Sequence, residues 1–320
     1  MDSGLPQVKF PYKTYSDYLT ERFPGLGKIQ KIGISLGTGC PNRDGTIGFG
    51  GCAYCNNAAF TPSYLIEEFG HLSDISGLTS LEKRSRVIRR IFERGKQFFS
   101  RKYPDMHFLA YFQSYTNTYG CNTADLIRIY EDVSELERVV GIIIGTRPDC
   151  LSDELLDALS EFSAHRCPVL LELGAESSHD DTLNRINRGH TWGQTVDAVK
   201  RCTDRGLDVG LHFIMGLPGE TETMMLQTVN RAAKLPIGCV KFHQLQIIKG
   251  TRLAEEYKEN RNQFHLFTAL EYAELCKKII SLLSGTNIAI ERFVSQAPDN
   301  LLIAPRWGIK NYQFVNSIVK

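Results

Sequence analysis

The chain has 320 residues, 42% hydrophobic and 23% charged, which is enough apolar material for a large core and excludes a mainly disordered protein. Lysine plus arginine number 37 against 36 acidic residues, so the net charge of +1 excludes a general attraction to polyanions; a nucleic-acid partner would need a local basic patch. No apolar run reaches the roughly 20 residues that span a bilayer, and the N-terminus lacks a signal-peptide pattern, so a cytoplasmic protein with no membrane partner is expected.

Taken in chain order, short β-branched runs predict strands at 29–36, 107–113, 139–145, 168–173, 208–214 and 240–248. Amphipathic stretches predict helices at 81–102, 124–132, 152–163, 191–205, 221–234 and 266–283. Ser152 and Thr221 read as helix N-caps, and Gly206 sits where a helix should stop. Strand followed by helix, repeated in this way, argues for an α/β protein with a parallel sheet and right-handed crossovers. The pattern alone fits a doubly wound sheet as well as a barrel. Residues 1–28 and 285–320 fall outside the repeat and read as N- and C-terminal extensions packed on the 29–284 domain or capping its mouth.

Of nine cysteines, six (Cys121, Cys150, Cys167, Cys202, Cys239 and Cys276) are scattered singly and read as small buried apolar residues. Cys40, Cys52 and Cys55 cluster in a glycine-rich loop directly after the first strand, at the sheet edge where α/β proteins place their chemistry. Three readings compete. Structural zinc wants four protein ligands, and the nearest further candidates, His71 and Cys121, form no second pair. A thioredoxin-like pair would leave Cys40 idle. A four-iron cluster held by three thiolates keeps one iron open for a substrate or cofactor.

This triad, with Tyr54 just before its last cysteine, resembles the radical S-adenosylmethionine (SAM) superfamily, although its first gap is eleven residues instead of three. "CPNRDGTIGFGGCAYC", the upstream "KIQKIGISLGTG" and the downstream "APRW" are similar to a bacterial subfamily with this long gap. That subfamily is related to elongator-type catalytic subunits and to oxygen-independent coproporphyrinogen oxidases. The resemblance implies a partial (β/α)6 TIM-like barrel, a 4Fe-4S cluster on Cys40, Cys52 and Cys55, and SAM on its open iron. It further implies an electron donor such as flavodoxin or ferredoxin.

Residue by residue, the resemblance places cofactor contacts at Ser114, Thr116 and Asn117 in "YFQSYTNTY", and at Glu176, Arg188 and His212. The implied partners are ribose hydroxyls for Glu176 and the methionyl carboxylate for Arg188. Arg147 in "GTRPDC" reads equally as an anion contact or as the ion-pair partner of Asp149. Glu172 should point inward and, being buried, should be paired. Lys241, His243, Gln244 and Gln246 are substrate-facing candidates, with the inward face of their strand undecided. The relatives imply a role in tRNA modification, at a wobble uridine whose carboxymethylaminomethyl group is trimmed to aminomethyl. The alternatives are a radical enzyme acting on a metabolite or protein, and a zinc-stabilised binding module.

Overall fold

The computed structural model describes residues 10–62 and 80–319. Strands β1 (Ile29–Ile34), β2 (His107–Phe112), β3 (Val139–Thr146), β4 (Val169–Glu176), β5 (Asp208–Met215) and β6 (Cys239–Gln244) pair in chain order. A seventh strand, β8 (Ala289–Arg292), joins β6 in parallel. It lies within the segment that the sequence read as a C-terminal extension. The run predicted as one strand over 240–248 is in fact β6 followed by a separate short strand, β7 (Ile247–Ile248), which pairs antiparallel with β9 (Leu302–Ala304).

Side-chain reach shows that the sheet curls. Six strand-to-strand steps of about 4.8 Å would put β1 and β8 almost 30 Å apart if the sheet were flat. Yet Lys31 of β1 meets Glu291 of β8 at 2.6 Å. Curvature brings the two edges to face each other, and the result is an α/β partial barrel.

Helices α2 (Leu81–Ser100), α3 (Thr123–Ser134), α4 (Asp153–His165), α6 (Trp192–Thr203), α7 (Glu222–Ala232) and α9 (Ala269–Leu283) clothe the outside; between them come the shorter α5 (Asp180–Arg185) and α8 (Arg252–Glu259). Their starts are chemically marked. Ser152 accepts a hydrogen bond from the Leu155 amide, Thr221 from that of Met224, and Thr191 with Gln194 closes a capping box. Each such cap contributes about 1 kcal/mol. Gly206 follows α6 at φ +73°, a left-handed position that glycine adopts without a Cβ penalty.

The main core lies between sheet and helices, with Ile32, Phe108, Leu171, Phe213 and Phe242 facing outward into it. Of the six scattered cysteines, Cys167, Cys202, Cys239 and Cys276 are buried as expected, whereas Cys121 and Cys150 are half-buried. Helix α1 (Tyr15–Arg22) places Leu19, Tyr15 and Tyr18 against Leu109, Ile143, Leu170 and Ala289. These are inward-facing residues toward the N-terminal ends of the strands, so α1 fills the end of the barrel away from the cysteine loop. The C-terminal segment runs the other way: Ser295 and Ala297 reach the cavity mouth. Trp307 of the "APRW" sequence donates to the Phe267 carbonyl and stacks on Phe314 of α10 (Asn311–Val319), so that motif anchors the segment.

Just past β4, Ser177 donates to the carboxylate of Glu220, which lies beyond β5, at 2.5 Å. Burial pushes the Glu220 pKa up to about 7. A carboxyl group raised in the folded state stabilises below its unfolded value of about 4.3, and that contribution is lost as pH rises through 7. We therefore expect the melting temperature to decline between about pH 5 and 8, and Glu220→Gln to flatten the decline in a pH series of thermal melts.

Candidate functional site

The inward faces of the strands line a cavity of about 480 Å³ that opens at their C-terminal ends. Cys40, Cys52 and Cys55 all border it. Their loop is held by specific contacts. Asn42 donates to the Asn187 carbonyl at 2.5 Å, Asn187 donates to the Gly51 carbonyl at 2.8 Å, and the Ala53 amide donates to the Ile186 carbonyl at 2.8 Å. Asn56 donates to the Lys249 carbonyl at 2.7 Å. The turn after α5 and the turn before α8 thus clamp the loop from two sides. Asn187 is at φ +52°, one of few side-chain-bearing residues in that region of backbone space.

The Cys52 sulfur receives Arg188 Nη1 at 3.4 Å and Asn42 Nδ2 at 3.6 Å. Burial, followed by the neighbouring Cys52 and Cys40, pushes the Cys55 thiol up to about 12. Three gathered thiolates are costly unless cationic charge joins them. Among the described residues no three His, Cys, Asp or Glu side chains are placed to share one metal ion. His71 lies outside the described residues. The donor set fits a cluster in which each thiolate takes its own iron.

Further buried polar atoms around the cavity lack a protein partner among the described residues: Asn57 Nδ2, Ser114 Oγ, Thr116 Oγ1, Arg147 Nη1, Arg188 Nε and Arg292 Nε. Native interiors leave few such groups, and their concentration at one cavity is what a polar ligand requires. Ser114 sits at φ +82° and Glu176 at φ +65°, strained positions on the two turns that border the site. The close approach of Glu176 and Arg188 depends on glycine: a Cβ on Gly174 would lie 2.7 Å from Arg188 Nη2 and 2.8 Å from Glu176 Oε1. Arg188 Nη2 donates to the Gly174 carbonyl at 2.7 Å and stands 3.7 Å from Glu176.

Ser114, Thr116, Glu176, Arg188 and His212 all border the cavity. Asn117 does not. Its amide donates to the carbonyls of Phe112, Ser114 and Gly145, fixing the turn that presents Ser114 and Thr116. Arg147 is paired bidentately with Asp149 at 2.8 and 2.9 Å, yet keeps Nη1 free toward the cavity. Arg185 at the end of α5 pairs with Glu256 of α8, and His190 holds the Gly174 carbonyl.

Below the cysteine loop the lumen holds a charged network. Glu172, 1% exposed, accepts from Lys31 at 2.5 Å, Lys241 at 2.8 Å and His212 at 2.7 Å. Glu291 accepts from Lys31 at 2.6 Å and from Lys241 at 3.0 Å. Burial alone would raise Glu172, but Lys241, Lys31 and His212 outweigh it and hold its carboxyl well below the usual range. Burial alone would depress Lys31, but Glu172 and Glu291 outweigh it and hold the ammonium above the lysine range. On β6 Lys241 and His243 face inward with Phe242 in the outer core, and at and past the strand's end both sets meet, since Gln244 and Gln246 border the cavity as well.

A model of the radical SAM superfamily matches residues 34–232, and one of the radical SAM C-terminal domain matches residues 237–320. The chain belongs to the radical SAM superfamily. Membership implies a 4Fe-4S cluster and SAM, and makes the protein a radical SAM enzyme. The Bacillus subtilis protein YtqA is 31% identical over 310 residues, covering 97% of this chain and 88% of that one. A tRNA uridine(34) acetyltransferase of Methanocaldococcus infernus is 30% identical over 141 residues, which is 43% of this chain but 25% of that protein.

Among solved structures, M. infernus Elp3 lacking its N-terminus superimposes with a TM-score of 0.60 at 17% identity, over 87% of this chain. Coproporphyrinogen III oxidase (HemN) of Escherichia coli gives 0.52 at 15% identity, also over 87%. This radical SAM chain spans 59% of each of those two structures. At such identities the likeness concerns the fold. Among the described residues no helix is long and apolar enough to cross a membrane.

The sequence reasoning missed Lys31, Tyr111, Glu291 and Arg292, all of which border the cavity. For Lys31 the signal was present: a lysine in "IQKIGIS" occupies an inward register of an apolar strand.

Proposed function

We propose that Cys40, Cys52 and Cys55 hold the 4Fe-4S cluster of this enzyme, and that it acts on tRNA at a wobble uridine, trimming carboxymethylaminomethyl to aminomethyl. The observation that carries the reading is the composition of one cavity. It joins the cysteine loop to a lumen with six cations (Lys31, Arg43, Arg147, Arg188, Lys241 and Arg292) against three carboxylates (Glu172, Glu176 and Glu291). Such a lumen suits an anionic substrate group. The partial likeness to proteins named for tRNA uridine(34) supports the choice of substrate.

When bound, the cluster and SAM together supply a 5′-deoxyadenosyl radical, and the protein's task is to place and shield it. Arg188 would grip the methionyl carboxylate through its free Nε, and Glu176 would accept from the ribose hydroxyls. The Ser114 and Thr116 hydroxyls would meet the methionyl amine. His212, fixed by Glu172, would meet the cofactor at the inner wall, while Asn117 shapes the turn. Thr116 and Arg188 are buried and Ser114, Glu176 and His212 half-buried, which would limit the access of water to a species that reacts with most C–H bonds.

Helix α2 offers a face for tRNA phosphates: Lys83, Arg86 and Arg89 are exposed, and Phe99 near its end borders the cavity. An electron donor of the flavodoxin or ferredoxin kind is expected, and the cytoplasm is the expected compartment. Nucleoside analysis of bulk tRNA tests the reading. Deletion of the gene should raise carboxymethylaminomethyluridine and remove its aminomethyl products. An unchanged nucleoside profile contradicts the tRNA substrate.

A further inference from the structure

The lumen cations differ in how they are balanced. Lys31 and Lys241 share Glu172 and Glu291, Arg147 has Asp149, and Arg188 has the Gly174 carbonyl and Glu176. Arg292, at the end of β8, has no carboxylate within ion-pair reach among the described residues. Its neighbour Glu291 faces Lys31 and Lys241 instead. Arg292 Nη2 lies 3.1 and 3.3 Å from the two ring nitrogens of His243, and its Nε is buried with no partner. Arg43, the sixth cation, is solvent-exposed, so with two lysines cancelled by two glutamates the interior carries the charge of Arg292 uncompensated.

We propose that Arg292, with His243 beside it, forms a subsite for one carboxylate of the substrate. Charge decides the class of ligand. A carboxylate brings one negative charge and balances the guanidinium, whereas a phosphate dianion would leave a net negative charge in a poorly solvated lumen. Geometry agrees. Nε and Nη2 form one edge of the guanidinium, the edge that meets a carboxylate with two parallel hydrogen bonds. His243 is held neutral, by burial first and by Arg292 next, so it offers one N–H to the same anion.

The mount is rigid. Gln244 binds Ser295 through both the amide and the carbonyl at 2.9 Å, and Gln246 donates to the Ser295 carbonyl at 3.1 Å. These contacts fix the chain three residues past Arg292. Identifying the ligand with the carboxymethyl group rests on the tRNA reading above; the carboxylate subsite itself does not.

The test is calorimetry on anaerobic holoenzyme in the presence of SAM, comparing wild type with Arg292→Gln and Arg292→Lys. The probes are carboxymethylaminomethyluridine, aminomethyluridine and sarcosine, which is the carboxymethylaminomethyl side chain alone. Wild type should prefer the first nucleoside over the second by roughly ten- to hundred-fold. Arg292→Gln should erase that preference, Arg292→Lys should restore part of it, and SAM affinity, measured separately, should be unchanged in both. A preference that survives in Arg292→Gln overturns the proposal. So does a loss of SAM affinity without loss of the preference, which would assign Arg292 to the cofactor's carboxylate. If neither nucleoside binds but sarcosine binds wild type and not Arg292→Gln, the tRNA reading fails and the carboxylate subsite stands. If sarcosine also binds both proteins equally or binds neither, the subsite is refuted.

Discussion

Cys52→Ala, purified without oxygen, should be colourless and hold well under one iron per chain, against about four for wild type. Cys52 is 7% exposed and is the sulfur toward which Arg188 and Asn42 both point. Removing it takes away one of three thiolates and leaves the buried Arg188 guanidinium without that anionic neighbour. The loop itself should survive, because backbone and asparagine contacts from the turns before α6 and α8 hold it without the sulfur. Thermal melts of the two iron-free proteins should therefore agree closely. Cys202→Ala is the control. Cys202 is buried in the outer core, and its replacement should cost roughly 1 kcal/mol of stability while iron content stays at the wild-type level.

Glu172→Gln should produce the largest loss of stability among single substitutions in the lumen. The variant keeps the shape of the side chain but leaves Lys31 and Lys241 to share Glu291 alone. Breaking a buried ion pair from one side costs about 3–5 kcal/mol, because the surviving charge remains desolvated. For a chain of this size that corresponds to a fall in melting temperature of roughly 5–7 °C. The sign with pH follows from the depressed pKa of Glu172. A carboxyl group lowered in the folded state stabilises above its unfolded value of about 4.3 and loses that contribution as pH falls through the folded one. The gap between wild type and Glu172→Gln should be full at neutral pH and should narrow in acid. A gap that is small at pH 7, or that widens below pH 4, would show that the network is not held by this carboxylate.

The order of β1 to β6, the crossover helices and the location of the cysteine loop were legible because period and punctuation carry them. Apolar runs of strand length alternate with amphipathic stretches, and Ser152, Thr221 and Gly206 mark ends that the structure shows. Strand β8 was not legible. It is four residues long, ends in Glu291 and Arg292, and reads as a polar tail until the facing β1 and β6 supply Lys31 and Lys241 to pair with Glu291. Glu172 could be recognised as an inward acid from alternation, but its partners come from β1, β5 and β6, and pairing across a curled sheet leaves no trace in local spacing. Asn117 shows a second role that local spacing does not reveal. Its place in a polar turn suggested ligand contact, and the turn's own carbonyls absorb its donors.

Product analysis of anaerobically reconstituted protein, reduced with dithionite in the presence of SAM, tests the central claim most directly. Wild type should release 5′-deoxyadenosine and methionine, and Cys40→Ala, Cys52→Ala and Cys55→Ala should each release neither. Wild-type protein with a full complement of iron that leaves SAM intact, or a cysteine variant that still cleaves it, would contradict the assignment of the cluster to this loop.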